Sequence, residues 1–395
     1  MNILVIGNGF DLAHRLPTKY TDFLEFVKTF KKIKKNGKNM EVDCYATPDS
    51  HIKAQIIEHF DETRQEEVEE LSDLMENNFW IEYFLDCPIY QKENWIDFES
   101  EIGRVIRSID EDRDGKDFYG QIHELTVPYL RDYFLREGVG TECDGFLGRM
   151  SKITYQKLRD ILIDDLYRLI RMLEIYLHSY VEGISCTGIL PDLQDIFFDK
   201  VLSFNYTDTY RKIYDAESLS EYDFIHGKAD AKRTSCANNM VLGIDEYLSE
   251  ERKNIDVEFV AFKKFYQRIY KETGCRYKNW VDDIKSGLPV QNTKFAYIDS
   301  SGSKVYQKEN AGRHNLYIFG HSLDVTDKEV LRELILHDTV ATVIFYYSKD
   351  DFGTKIANLV KVIGQDELIR RTGGNTKTIS FRKQQDIICN ADRRL

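Results

Sequence analysis

The chain opens on a short apolar run, Ile3-Leu4-Val5-Ile6, that breaks at Gly7-Asn8-Gly9 into a helical pattern reaching about Phe30. Consecutive apolar residues bounded by a glycine turn are the pattern of a strand buried on both faces of a parallel sheet. A glycine turn between such a strand and a helix presents backbone N–H groups to a nucleotide phosphate. From there to about Asp192 the apolar spacing changes to three and four residues, which predicts helices over 51–77, 95–109 and 151–183. In the last of these, Leu158, Ile161, Leu162, Leu166, Leu169, Ile170, Leu173 and Leu177 form a wide stripe, as in a helix packed into a core. From about Leu193 short β-rich runs return: Lys200–Asn205, Tyr222–His226, Met240–Gly243, Asn315–Phe319 and Ala341–Tyr347. Polar or glycine turns follow them, and helical stretches separate them, which predicts a mostly parallel sheet with crossover helices.

The expected fold is therefore α/β and Rossmann-like, with a large helical insertion after the first strand–helix unit. Residues 1–30 and 193–395 would form a nucleotide-binding domain, and 31–192 a mainly helical insertion. Six lysines between Lys28 and Lys38, with Gly37 near the end, read as a solvated helix terminus rather than a phosphate contact.

Composition narrows the setting. The chain has 395 residues and a formal net charge of -13, which argues against a broad nucleic-acid footprint. No stretch approaches the roughly 18 continuous apolar residues of a membrane span, and the N-terminus is unlike a signal peptide. The cysteines number seven and are scattered, without a C-x-x-C pair. That pattern suggests neither a disulfide framework nor a zinc module, so a reduced cytoplasm and no metal are expected.

Four polar turns carry the candidate chemistry. Gly7-Asn8-Gly9 lacks the third glycine of the dinucleotide fingerprint, since Leu12 stands there. Asn205, in Ser203-Phe204-Asn205-Tyr206, follows a predicted strand, where its amide can grip a ribose hydroxyl and a water. The plainer reading is a turn asparagine, with Asp208 capping the next helix. His226-Gly227 closes another strand, and a histidine there can act as a base near neutral pH. Gly320-His321-Ser322-Leu323 follows a third, with Asp327 as cap of the next helix. Four such turns on one sheet edge read as one nucleotide pocket.

These residues resemble two families. GNGFDLAHRLPT followed by Tyr20, Phe23 and Leu24, the segment NWIDFESEI with Trp95, Asp97 and Glu99, SFNYTDTY, the IHG at 225–227, and FGHSLDVTD resemble the AbiH family of bacteriophage abortive-infection proteins. Arg15 departs from it, standing where a small residue, often glycine, is expected. The wider resemblance is to the sirtuin-like NAD-binding fold. Its G-A-G-x-S and G-I-P elements align with Gly7, Gly9, Leu16 and Pro17, with Asp11 for the serine and Arg15 for the later glycine. T-Q-N-I-D is similar to Ser203–Thr207, with Asn205 matching and the aspartate displaced to Asp208. The catalytic H-G aligns with His226-Gly227. G-T-S-L-x-V aligns with Gly320, Ser322, Leu323 and Val325, with His321 for threonine.

The resemblance implies an antiphage effector with NAD as substrate or ligand and NAD glycohydrolase-like chemistry at the nicotinamide–ribose bond. Asn205 and His226 would be catalytic. Gly7, Asn8, Gly9, Asp11, Gly227, Gly320 and Ser322 would hold the dinucleotide, with Asp11 binding ribose hydroxyls or capping the first helix. The four-cysteine zinc module of sirtuin deacylases is missing, which disfavours peptide deacylation. Trp95, Asp97 and Glu99 would reach the site or merely pack. Expected partners are a small-molecule nucleotide and a phage-derived trigger, with no membrane; homo-oligomerisation stays open. A nucleotide sensor without turnover, or a nucleic-acid-cleaving effector, are the alternatives.

Overall fold

The computed structural model describes residues 1–36, 48–59, 64–87, 90, 96–113, 152–186, 188–232, 237–287, 289–300 and 304–389. Among them are the strands β1 Asn2–Ile6, β2 Gly188–Ile189, β3 Lys200–Ser203, β4 Glu221–Phe224, β5 Gln291–Ile298, β6 Lys304–Asn310, β7 His314–Phe319, β8 Val340–Tyr346, β9 Ile379–Lys383 and β10 Ile388–Cys389. Six of these form one sheet in the order β4-β3-β1-β7-β8-β9, with every neighbouring pair parallel. The protein is a mixed α/β structure built on this sheet.

The opening apolar run is continuous because both sheet faces are covered. Ile3 and Val5 face a core with Leu202, Leu316, Ile318 and Ile344, roofed by apolar residues of the helices Tyr277–Lys285, Lys328–Ile335 and Lys349–Ile363. Leu4 and Ile6 face the opposite core with Phe10, Leu193, Val201, Tyr210, Phe319 and Phe345. A parallel sheet covered in this way fits a strand pattern without polar alternation.

The chain divides into two compact units. One comprises Met1–Leu16, Glu182–Lys228 and Glu272–Leu395 and holds the six-stranded sheet. The other comprises Pro17–Val181 and Ala229–Lys271. It contains the helices Tyr20–Asn36, Pro48–Glu58, Gln65–Met75, Phe79–Asp86, Phe98–Arg113 and Lys152–Ile175, the last running into a π-helical turn at Tyr176–Val181. Of the predicted stripe, Ile161 is half-buried and the other seven residues are buried. Lys34 and Lys35 lie in the last turn of their helix; Gly37 and Lys38 fall outside the described residues. Among the described residues no helix is long and apolar enough to cross a membrane.

Several expected boundaries shift. Lys200–Asn205 stops being strand at Ser203, and Tyr222–His226 at Phe224, so His226 lies beyond its strand. Met240–Gly243 is not a strand, and the segment Ala229–Lys271 groups with the helices rather than the sheet. Met240, Val241 and Leu242 are fully buried, yet side chains take the place of a neighbouring strand. Asn238 Oδ1 accepts from the Met240 N–H, and Gln267 both accepts from the Leu242 N–H and donates to its carbonyl, each at 3.1 Å. The hairpin of β5 and β6 and the edge strand β9 were absent from the sequence reading.

Gln267 is fully buried and also donates to the Ala261 carbonyl. Gln267→Leu keeps the volume and strands those backbone groups, so we expect a loss of about 2–4 kcal/mol, read as a lower urea midpoint.

Candidate functional site

Sheet register brings four loops out side by side. Ile6 pairs with Ser203 on one side and Phe319 on the other, and Ser203 pairs with Phe224. Gly7, Phe204-Asn205, Ile225-His226 and Gly320 therefore leave adjacent strands at the carboxyl edge of the sheet. Convergence at one edge, expected from four scattered turns, is what the parallel pairing produces.

The glycines serve backbone packing there. The Gly7 N–H donates to the Phe319 carbonyl at 3.2 Å, and the Gly9 N–H to the Gly320 carbonyl at 2.8 Å. A Cβ on Gly9 would lie 2.8 Å from Gly320 Cα, and one on Gly320 only 2.1 Å from the Phe10 nitrogen. Gly320 also has φ +66. The small residues are required by the approach of the β1 and β7 loops, and one amide of the expected phosphate turn is spent on that contact. Asn8 and Ser322 remain exposed beside it, and Gly227, at φ +75, turns the chain after His226.

Asn205 sits across the β1 loop. Its amide donates to the Gly7 carbonyl at 3.1 Å, and it is 6% exposed. Beneath it, Asp11 is 1% exposed and accepts from the Thr207 hydroxyl at 2.6 Å, with Thr209 donating to Thr207 at 3.2 Å. Burial pushes the Asp11 carboxyl up to about 6, against the pull of the Thr207 and Thr209 hydroxyls. Asp11 lies inside the first helix, Asn8–Ala13, whose cap position is Gly7, so it does not cap that helix. Its depth also keeps it from direct ligand contact as it stands.

His226 belongs to a second cluster that the sequence reading missed. Its ring packs edge-on to Phe204 at 5.7 Å and near Tyr206 at 6.3 Å, the two neighbours of Asn205. Its Nε2 lies 3.8 Å from Asp327 Oδ1, while His321 Nε2 lies 3.3 Å from Asp327 Oδ2. His321 stacks edge-on to Phe204 at 4.3 Å. Its Nδ1 accepts from the Leu323 N–H at 2.9 Å, so the proton of the neutral ring is on Nε2. A nitrogen that keeps its proton is not a metal ligand; here it lies 3.3 Å from Asp327 Oδ2.

Two expected helix caps are replaced. Asp327 and Asp208 occupy cap positions but make no capping bond. Asp327 turns to the histidines, and Asp208 accepts from Lys228 at 2.6 Å. In the second unit, Asp97 accepts from the Glu99 N–H and the Ser100 hydroxyl at a helix start, and Glu99 pairs with Lys264 at 2.6 Å. Both therefore have structural partners within that unit; Trp95 lies outside the described residues. One signal for the missed pair was present: FGHSLDVTD puts a histidine and an aspartate six positions apart around a turn.

Fold and edge together define a class: an open parallel α/β protein with polar side chains gathered at the carboxyl ends of its central strands. The chain belongs to the AbiH family, since the family described as Bacteriophage abortive infection AbiH matches residues 3–347. No curated protein and no solved structure matches it. Family membership gives it a phage abortive-infection role.

Arg15 has φ +60 and follows the end of the first helix. The Arg15 N–H donates to the Leu12 carbonyl and the Leu16 N–H to the Asp11 carbonyl, the paired bonds of a Schellman cap. A glycine there is favoured by backbone conformation, so Arg15→Gly should stabilise the protein by about 0.5–1 kcal/mol in a urea titration. Asp11 predicts a pH effect. Its carboxyl ionises near 3.8 in the unfolded chain and near 6 in the folded one. The folded state thus holds the proton longer, and stability falls as pH rises through that window. Asp11→Asn should flatten this slope and add about 1–3 kcal/mol at pH 7, measured by thermal unfolding at several pH values.

Proposed function

We propose that this AbiH-family protein binds NAD or a related nucleotide and hydrolyses it at the nicotinamide–ribose bond, as an antiphage effector. The observation that carries this reading is that Asn205 and His226 leave neighbouring strands at the same edge, with Phe204 and Tyr206 between them. Numbered within the sheet by chain order, the strands run 3-2-1-4-5-6, as in doubly wound dinucleotide-binding sheets. Such sheets take their ligand at the carboxyl edge, where the winding reverses between the first and fourth strands. That position here is β1 beside β7, which supports the Rossmann-like reading.

The chemistry follows from the bond. Breaking ribose C1′–N builds positive character on the ribose, nicotinamide leaves as a neutral base, and water supplies the new C–O bond. Asn205 orients the water and a ribose hydroxyl, and His226 accepts the proton that water gives up. Asp11 holds Asn205 and Thr207 from below rather than touching the ligand. Gly7, Gly9, Gly227 and Gly320 shape the rim, and Asn8 and Ser322, both exposed, offer polar groups to phosphate or ribose. The commitment of the Gly9 N–H to Gly320 favours a second reading, a nucleotide sensor without turnover, because it leaves a poorer phosphate cradle.

Purified protein incubated with NAD, with and without phage-infected cell extract, should release nicotinamide. Asn205→Ala and His226→Ala should each slow release by about 10²–10⁴-fold. No release under either condition, with tight nucleotide binding by calorimetry, would select the sensor. Metal-dependent RNA or DNA cleavage without nicotinamide release would point instead to a nuclease.

A further inference from the structure

We infer that Asp327 is the positioning residue of His226 and that His321 aims it. This rests on the proposed role of His226, but its geometry stands apart from any nucleotide. Three side chains with little exposure lie in succession: His321, 4% exposed in its side chain, Asp327 at 11% and His226 at 7%.

The line is fixed at its far end. Leu323, fully buried, is held at φ +58, a left-handed conformation that is strained for a leucine. That turn delivers the Leu323 N–H to His321 Nδ1. The His321 carbonyl accepts from the buried Lys355 ammonium at 2.7 Å, and the Ser322 carbonyl from Asn358 at 3.0 Å. The loop after β7 is thereby clamped to the helix Lys349–Ile363, and the His321 ring has one orientation and one tautomer.

The middle of the line is turned away from the job its position offers. Asp324, not Asp327, caps the short turn Val325–Asp327, accepting from the Thr326 N–H at 3.0 Å. Asp327, at the start of the helix Lys328–Ile335, sets one oxygen 3.3 Å from His321 Nε2 and the other 3.8 Å from His226 Nε2. An aspartate oxygen facing Nε2 favours the tautomer that keeps the proton there. Nδ1 is then the nitrogen that receives a proton, and the carboxylate stabilises the imidazolium that results. The 3.8 Å separation is beyond a hydrogen bond, and such contacts commonly tighten when substrate is bound.

Two readouts on the full chain test this. In the first, imidazole ¹⁵N spectra with the His226 signals assigned through His226→Gln should show the Nε2–H tautomer, and Asp327→Asn should remove that preference. A wild-type His226 protonated on Nδ1 would overturn the proposal. In the second, Asp327→Asn should lower kcat by about 10²-fold or more with KM within about threefold, and Asp327→Glu should recover part of it. In a His226→Ala background the same Asp327→Asn change should cost less than about threefold. A full, additive loss there would make Asp327 a structural strut and overturn the proposal. If the tautomer result holds but no nicotinamide is released, the positioning stands and the hydrolase reading fails.

Discussion

The approach of the β1 loop to the β7 loop is the constraint on which this edge of the sheet depends. Gly9 donates to the Gly320 carbonyl at 2.8 Å, and Gly320 lies so near Phe10 that no side chain fits between them. Two consequences follow. Gly7 is brought against His321, whose Cα would lie 2.8 Å from a Cβ at that position. The Gly7 carbonyl, in turn, is where Asn205 anchors its amide. The asparagine of β3 and the histidine of β7 are thus held against the same glycine, from opposite neighbouring strands.

Two carboxylates then divide the edge between them by environment. Asp11 is deep, meets hydroxyls, and is pushed toward neutrality by desolvation. Asp327 is also largely buried, but it meets imidazoles instead of hydroxyls. A buried carboxyl that meets hydroxyls works as a structural hydrogen-bonding group. A carboxyl placed between two titratable rings works on proton position. The same residue type serves both because the partners differ, hydroxyl in one case and imidazole in the other.

Much of this was legible in the sequence because the sheet is buried on both faces. Ile3-Leu4-Val5-Ile6 and the runs near 201, 317 and 343 read as strands since both of their faces meet a core. Parallel pairing then makes the strand ends coincide, so turn residues as distant as Gly7 and Gly320 could be assigned to one edge. Met240–Gly243 failed for a physical reason: an apolar run predicts burial, and burial does not dictate what satisfies the backbone. There Gln267 and Asn238 do so. The hairpin of β5 and β6 was missed because its sequence, QNTKFAYI and KVYQKEN, is too polar to resemble a core strand. Asp327 was misread because an aspartate before a helix has two uses, and sequence shows only the capping one.

The glycine turn carries the broader argument. Strand–glycine–helix is the pattern of a phosphate cradle, and it is also the pattern of a loop that must let a second loop pass close by. The first residues of the chain cannot separate these uses, because the deciding atoms belong to residue 320. At Gly9 the close contact is a peptide, and the N–H that a phosphate would want already has its acceptor. Arg15 adds to the same point, since its left-handed conformation belongs to a helix cap and not to ligand access. What remains distinctive at this edge is therefore side-chain chemistry, the Asn205 amide and the line from His321 through Asp327 to His226. On the proposed reading, a nucleotide at this edge would be recognised more through ribose and base than through its phosphates.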